Sequence, residues 1–186
     1  MDYETKPTNR KELRLYAKLF RSICGLSNAE PIDPIELLDR LPELEGFEDV
    51  RYEIVYNNEL PGNVPAQCVK DNEGYLIQIK ESVYMGAYEK QTGGHRMHIM
   101  HEIGHIDMGH KHGSQLAEVI ANHYAGYALA PSPLIQKYNC EDFGDISVVF
   151  NISDECAYWR FNSYQNWIKY RIKKKYEKEL LNYLND

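Results

Sequence analysis

Four of the chain's seven histidines lie within thirteen residues, 98–110, in the stretch HIMHEIGHIDMGH. Residues 101–105 (HEIGH) fit the pattern H-E-x-x-H, which can serve a single metal ion only if the segment is helical. On a helix, residues four apart lie one above the other, so His101 and His105 can bind one ion from the same face. Apolar residues surround the pair, and Gly104 leaves room for another element to approach closely. The pattern therefore predicts a buried helix that carries two metal ligands.

The glutamate beside the first histidine supplies a different chemical group. The helix holds Glu102 near the ion without making it a ligand. There it can take a proton from metal-bound water and return it to a leaving amine, so we predict that Glu102 is the catalytic base. His98, three residues before His101, can line the site, but a polar surface position or a supporting role beside a ligand is the favoured interpretation. His110 and His112 fall near the helix end, where the helix dipole favours them, and we do not expect either as a ligand.

The third ligand has to come from outside this stretch. One class of zincin requires a histidine six residues after His105 and a glycine three after it, but those positions hold Lys111 and Met108. Another class takes a glutamate from the following helix. Glu118 lies thirteen residues past His105, and Asn122 follows one turn later, where it can orient a ligand histidine. Two histidines and a carboxylate leave the fourth tetrahedral position for water, which is the arrangement of a catalytic zinc.

The spacing of apolar residues predicts an α+β fold, with a small antiparallel or mixed sheet followed by a helical block. A helix over residues 9–24 and a short helix capped by Asp33 precede a strand at 50–56 and a hairpin at 66–80. From about residue 92 the period is helical, and Ser114 is placed to cap the second helix of the block. We expect one zincin-like domain over 1–186, with an N-terminal helix in 1–30 and a C-terminal helical extension from about 145.

Composition excludes several other classes of protein. The net charge of −7 and the pI near 5.5 argue against direct nucleic-acid binding. The four cysteines form no C-x-x-C pair, and no secretory signal or apolar run of about 20 residues is present, so we expect a cytoplasmic protein without a membrane partner. A basic stripe near the C-terminus is more simply a solvated helix face than a binding surface. Its residues are Lys169, Arg171, Lys173, Lys174, Lys175 and Lys178.

The segments RMHIMHEIGHIDMGH and EVIANHYAGYALAP together resemble the ImmA/IrrE family of metallo-endopeptidases. These are gluzincin-type zincins whose signature is an H-E-x-x-H helix followed by a Glu-x-x-(Ala)-Asn helix that ends in proline. The likeness extends upstream to the strand GYLIQIK and downstream to DISVVFNISDECAYWRFNSY, and covers residues 32 to about 167. It implies that His101, His105 and Glu118 bind one zinc ion per chain and that Glu102 is the general base.

Two features depart from the family's pattern. Family members often carry a second acidic residue two positions after the ligand glutamate, where this chain has Ile120, and longer apolar residues where Ala128 and Ala130 stand. Neither departure touches the expected ligands, although both can alter the pocket around them.

By this resemblance, the chain is expected to cleave a specific regulatory protein. The substrate class is helix-turn-helix transcriptional repressors of mobile elements, phages or stress responses. The reaction would be peptide hydrolysis, in which zinc lowers the pKa of its water, Glu102 takes the proton, and zinc helps to hold the oxyanion. A tyrosine or histidine often assists at the oxyanion in such enzymes, and Tyr124 and Tyr127 are candidates.

Two further points stay open on sequence alone. The alternative to an enzyme is a binding module, an anti-repressor that grips its target on a zincin fold without cutting it; the intact Glu102 favours the enzyme. An extended substrate segment could pair with an exposed edge of the sheet, for which residues 75–80 are the candidate strand. The oligomeric state is not predicted.

Overall fold

The computed structural model describes residues 10–25, 31–89, 93–110 and 114–170. Over these residues the fold is α+β, which confirms the predicted class. Two helices and a short 3₁₀ turn (Leu41–Glu43) precede three strands, and helices form the remainder. The elements are α1 (Arg10–Ile23), α2 (Pro34–Arg40), β1 (Val50–Val55), β2 (Ala66–Asp71), β3 (Gly74–Lys80), α3 (Glu81–Tyr88), α4 (Gly93–Asp107), α5 (Gln115–Leu129), α6 (Ser132–Lys137), α7 (Phe143–Phe150) and α8 (Asp154–Tyr170).

The sheet is mixed, and its strand order is β1-β3-β2. β3 pairs in parallel with β1 and antiparallel with β2, and the tight turn between Asp71 and Gly74 joins β2 to β3. Gly74 has φ +124°, and a Cβ there would lie 2.1 Å from the Asp49 carbonyl oxygen, so this turn requires glycine. The expectation that the 75–80 strand presents an exposed edge is wrong, because β3 is the central strand and both of its edges are paired. The edge next to α4 belongs to β2.

Helix α4 is the central element of the core and packs against the sheet, α3 and α5. Ile77 and Ile79 of β3, Ile99 and Ile103 of α4, and Tyr124 of α5 are all fully buried. A Cβ on Gly104 would lie 2.8 Å from the Tyr124 ring. The predicted close approach at Gly104 is therefore the packing of the Tyr124 ring against α4, which brings α5 alongside the histidine helix.

Local capping explains where the two site helices begin and end. The Ser114 hydroxyl accepts a hydrogen bond from the Ala117 amide at the start of α5, as predicted, and Pro131 follows its end. At the end of α4, Gly109 has φ +63°, and its amide donates to the Ile106 carbonyl while the His110 amide donates to the His105 carbonyl. This pair of bonds is the Schellman motif, in which the chain turns back over the last helical turn.

Helix α3 lies in a segment where no helix was predicted. It follows β3 directly, and its eight residues bury Val83, Gly86 and Ala87. So short a helix, with a glycine at one of its three buried positions, gives too little apolar periodicity for a pattern to stand out.

Most of the basic stripe (Arg171 and the lysines beyond it) and His112 lie outside the described residues. No helix in the described part of the chain is both long and apolar enough to cross a bilayer.

Candidate metal centre

The two helices bring the three predicted ligands to one point. His101 and His105 lie one turn apart on α4, and their Nε2 atoms are 2.9 Å apart. From the start of α5, Glu118 places Oε2 3.0 Å from Nε2 of His101 and Oε1 3.4 Å from Nε2 of His105. One ligand atom from each of the three residues lies within 4.8 Å of the other two. These residues therefore form a possible metal-binding triad.

Whether His101 can bind a metal ion depends on which of its two ring nitrogens carries the proton. Nδ1 of His101 lies 2.9 Å from Oδ1 of Asn122. With the amide in this orientation its oxygen can only accept, so Nδ1 carries the ring proton and Nε2 of neutral His101 presents a lone pair. That lone pair faces a carboxylate oxygen of Glu118, which has only lone pairs to offer. A cation between these atoms, either a proton or a metal ion, is needed to make the arrangement favourable.

The spacing of the donors fits a small metal ion. Zinc bonds of about 2.0–2.1 Å in a tetrahedron separate neighbouring ligand atoms by about 3.3 Å. The three separations here, 2.9, 3.0 and 3.4 Å, lie close to that value. His105 is 6% exposed, whereas the side chain of Glu118 is 53% exposed, so the triad is buried on the α4 side and open beside α5.

Glu102 lies next to His101 in sequence but points toward the sheet, and it is 8% exposed. Its carboxylate receives a hydrogen bond from the backbone amide of Cys68 on the edge strand β2. Burial raises the pKa of Glu102 to about 8; the nearby charge of Glu118 adds to the rise, and the Cys68 amide opposes it. The carboxyl thus exchanges its proton near neutral pH.

His98 and Tyr124, both predicted as possible lining residues, have different surroundings. His98 lines a groove of about 450 Å³ between α4, α5 and α8, together with Asn122 and Trp159, and none of the three triad residues lines it. Burial lowers the pKa of His98, with His95 and His101 contributing. Tyr124, by contrast, does not line the site: its ring is fully buried and its hydroxyl donates to Oδ2 of Asp107 at 2.7 Å.

Helix geometry explains why Tyr124 lies away from the triad. Six residues separate it from Glu118, which places it about 240° around the helix from the ligand. Tyr127, the other candidate for the oxyanion, is 4% exposed, and the Arg160 guanidinium stacks over its ring at 4.1 Å. Both tyrosines are therefore part of the core packing.

His110 is a site residue that the sequence reasoning missed. Its Nδ1 lies 3.0 Å from Nδ1 of His105, on the side of that ring away from the triad, and the residue is 9% exposed. Burial lowers the pKa of His110, opposed by the charge of Glu118. The signal was present: a glycine that ends a helix turns the next residue back over the last turn, here onto a ligand.

Comparisons of the chain with protein-family models, with curated proteins and with solved structures find no match. The reaction is therefore proposed from the residues and their geometry, and the substrate class from the resemblance of the two site segments to the ImmA/IrrE family.

Proposed function

We propose that this chain is a zinc-dependent metallo-endopeptidase that hydrolyses a peptide bond in a specific regulatory protein, a helix-turn-helix transcriptional repressor of a mobile element, phage or stress response. The observation that carries the proposal is the convergence of ring nitrogens of His101 and His105 with carboxylate oxygens of Glu118, beside the buried carboxyl of Glu102. The three ligands would hold one zinc ion. We propose that it acts in the cytoplasm, where its four cysteines would remain the free thiols seen here.

A bound zinc ion supplies Lewis-acid chemistry, because it polarises a carbonyl group and makes water more acidic. Glu102 supplies the base. A group that takes a proton and later returns it works best with a pKa near the operating pH. Burial raises the pKa of Glu102 to about 8 in the metal-free protein, and the charge of a bound zinc ion would lower it. The Cys68 amide fixes one side of the carboxylate, and Asn122 holds the His101 ring with Nε2 toward the triad.

The β2 edge gives an extended substrate a place to bind. The Lys80 amide donates to the Pro65 carbonyl at 3.1 Å, so Pro65 faces β3. Antiparallel strands alternate the direction of their backbone groups, and Ala66, Cys68 and Lys70 therefore face away from β3. The Cys68 amide already points this way, toward Glu102. A peptide added along this edge would make main-chain hydrogen bonds with Ala66 and Lys70, on either side of the Cys68 amide that holds the base, which is recognition by strand addition.

The groove lined by His98, Asn122 and Trp159 adds room for side chains of the substrate. Trp159 is 55% exposed and supplies apolar contact area, while the imidazole and amide supply polar contacts. Because Asn122 belongs both to this groove and to the support of His101, a substrate bound there would contact the residue that holds this ring in place.

The proposal is tested by changing the base while keeping the ligands. Wild type and Glu102→Gln are loaded with zinc and incubated with a repressor whose gene lies next to the gene for this chain. We expect both proteins to bind zinc and the variant to cleave about 10²–10⁴-fold more slowly, because it cannot accept the proton. Glu81→Gln, the same change on an exposed position of α3, is the matched control and should cleave like wild type.

Two outcomes would contradict the proposal in different ways. Undiminished cleavage by a zinc-loaded Glu102→Gln protein rules out Glu102 as the base. Tight binding of the repressor by wild type and variant, with no cleavage by either, supports the anti-repressor alternative instead.

A further inference from the structure

His105 has two ring nitrogens, and only one of them faces the triad. Nε2 points at His101 and Glu118, and Nδ1 points at Nδ1 of His110 at 3.0 Å. A neutral imidazole carries one proton, on one nitrogen or the other. If the proton is on Nε2, His105 offers no lone pair to a metal. The ligand therefore depends on a partner that keeps the proton on Nδ1.

His101 needs its proton on Nδ1 for the same reason, and its partner is the side-chain amide of Asn122. Asn122 offers an oxygen to Nδ1 of His101 at 2.9 Å, and this oxygen can only accept. The corresponding position beside His105 is occupied by an imidazole nitrogen, which can accept when the His110 proton is on its own Nε2. The two ligands thus have two different supporting residues, one from α5 and one from the turn after α4.

The backbone explains why His110 is in this place. In a Schellman motif the second residue past the helix contacts the residue five positions earlier, and that contact is ordinarily hydrophobic. Here those two residues are His110 and His105, joined by the backbone bond from the His110 amide to the His105 carbonyl at 2.9 Å. An apolar residue would meet the needs of this turn.

The burial of His110 indicates a polar role rather than simple packing. Its Nε2 is buried and makes no hydrogen bond with any described residue. A buried polar atom without a partner is unfavourable, so a leucine would suit this position better if packing were all that mattered. The one ring hydrogen bond that His110 makes among the described residues is the bond to a ligand.

We propose that His110 is a positioning residue whose Nδ1 accepts the Nδ1 proton of His105 and so holds Nε2 of His105 as a lone pair toward the metal. The inference rests on the proposed function, since it assigns a role in binding the zinc ion. Partners of this kind fix the ring orientation and raise the basicity of a ligand histidine.

The test uses two substitutions of nearly equal shape. His110→Leu removes the acceptor and keeps the position filled, whereas His110→Asn keeps an oxygen where Nδ1 was. We expect His110→Leu to lower zinc affinity about 10- to 100-fold, as loss of such a partner typically does, and His110→Asn to stay close to wild type. Thermal unfolding of the metal-free proteins shows whether each variant is folded.

A spectroscopic measurement addresses the hydrogen bond itself. In the zinc-loaded full chain labelled with ¹⁵N-histidine, we expect a through-bond coupling between Nδ1 of His105 and Nδ1 of His110, with the proton on His105. No coupling, or a proton on Nε2 of His105, would overturn the assignment. So would wild-type zinc affinity in a folded His110→Leu protein, or an equal loss in the Leu and Asn variants.

These outcomes separate the inference from the proposed function. A wild type that binds zinc but cleaves nothing contradicts the proposed activity and leaves the affinity comparison decisive for His110. A wild type that cannot bind zinc contradicts both.

Discussion

The polar groups between the two site helices behave differently from the polar groups buried elsewhere against the same helices. Arg96 of α4 donates to the Ile32 carbonyl at 2.6 Å and pairs with Asp33 at 3.2 Å, and Tyr124 of α5 donates to Asp107. In these contacts, donors meet acceptors. In the candidate metal centre, by contrast, ring nitrogens of His101 and His105 converge with the carboxylate oxygens of Glu118. The first kind of contact stabilises the fold unaided, whereas the second has the donor set of a cation site.

Exposure separates the two regions in the same way. Arg96 is 4% exposed and Tyr124 is fully buried, whereas the side chain of Glu118 is 53% exposed. Changes to the buried contacts should therefore lower stability and leave zinc affinity intact. Changes to the candidate metal centre should lower zinc affinity and leave stability intact.

The largest expected effect is on the buried arginine. Arg96→Met should lower the free energy of unfolding by about 2 kcal/mol, because it leaves the buried Ile32 carbonyl without its donor and Asp33 without its ion pair. Urea unfolding of the metal-free protein measures this. Arg51→Met, which breaks the surface pair with Asp71, is the control and should leave the urea midpoint close to that of wild type. A fall in zinc affinity in folded Arg96→Met would break the distinction between the regions.

For Asn122, substitution should affect zinc affinity and leave stability nearly unchanged. Asn122→Leu should lower zinc affinity about 10-fold, since His101 loses the acceptor that keeps its proton on Nδ1. Unfolding of the metal-free protein should change by less than about 0.5 kcal/mol, because the residue is exposed. Asn122→Asp keeps an oxygen at the same position and should retain the affinity. Competitive titration with a zinc-binding dye distinguishes the two variants, and equal losses would contradict this role.

Tyr124 should give the smallest effect. Tyr124→Phe removes the hydrogen bond to Asp107 inside the core and should cost about 1 kcal/mol of stability. Because the hydroxyl points away from the triad, zinc affinity and the rate of cleavage should stay at their wild-type values. A reduced kcat with normal stability would instead indicate that Tyr124 takes part in catalysis.

Much of the candidate site could be predicted because it depends on local signals. Helical spacing brings His101 and His105 to one face, and Ser114 begins the next helix at the place that lets Glu118 meet them. The position of Asn122 one turn after Glu118 follows from the same spacing. Each of these relations lies within one helix or across one short turn.

What could not be predicted depends on long-range pairing. The alternation of residues 75–80 identifies a strand, but only its neighbours determine that β3 is central. One of them, β1, pairs with it in parallel through residues 25 positions earlier in the chain. The hydrogen bond from the Cys68 amide to Glu102 depends on the same strand order. His110 and Tyr124 are different, because helix geometry and the Schellman turn could have indicated the position of each.

The central claim is that His101, His105 and Glu118 hold one metal ion, and the zinc content of the purified chain tests it most directly. Wild type is loaded with zinc, dialysed and analysed for metal alongside a His101→Ala/His105→Ala double variant. The account predicts one zinc ion per wild-type chain and none in the double variant. A wild type that retains no zinc, or a double variant that retains as much, would contradict it.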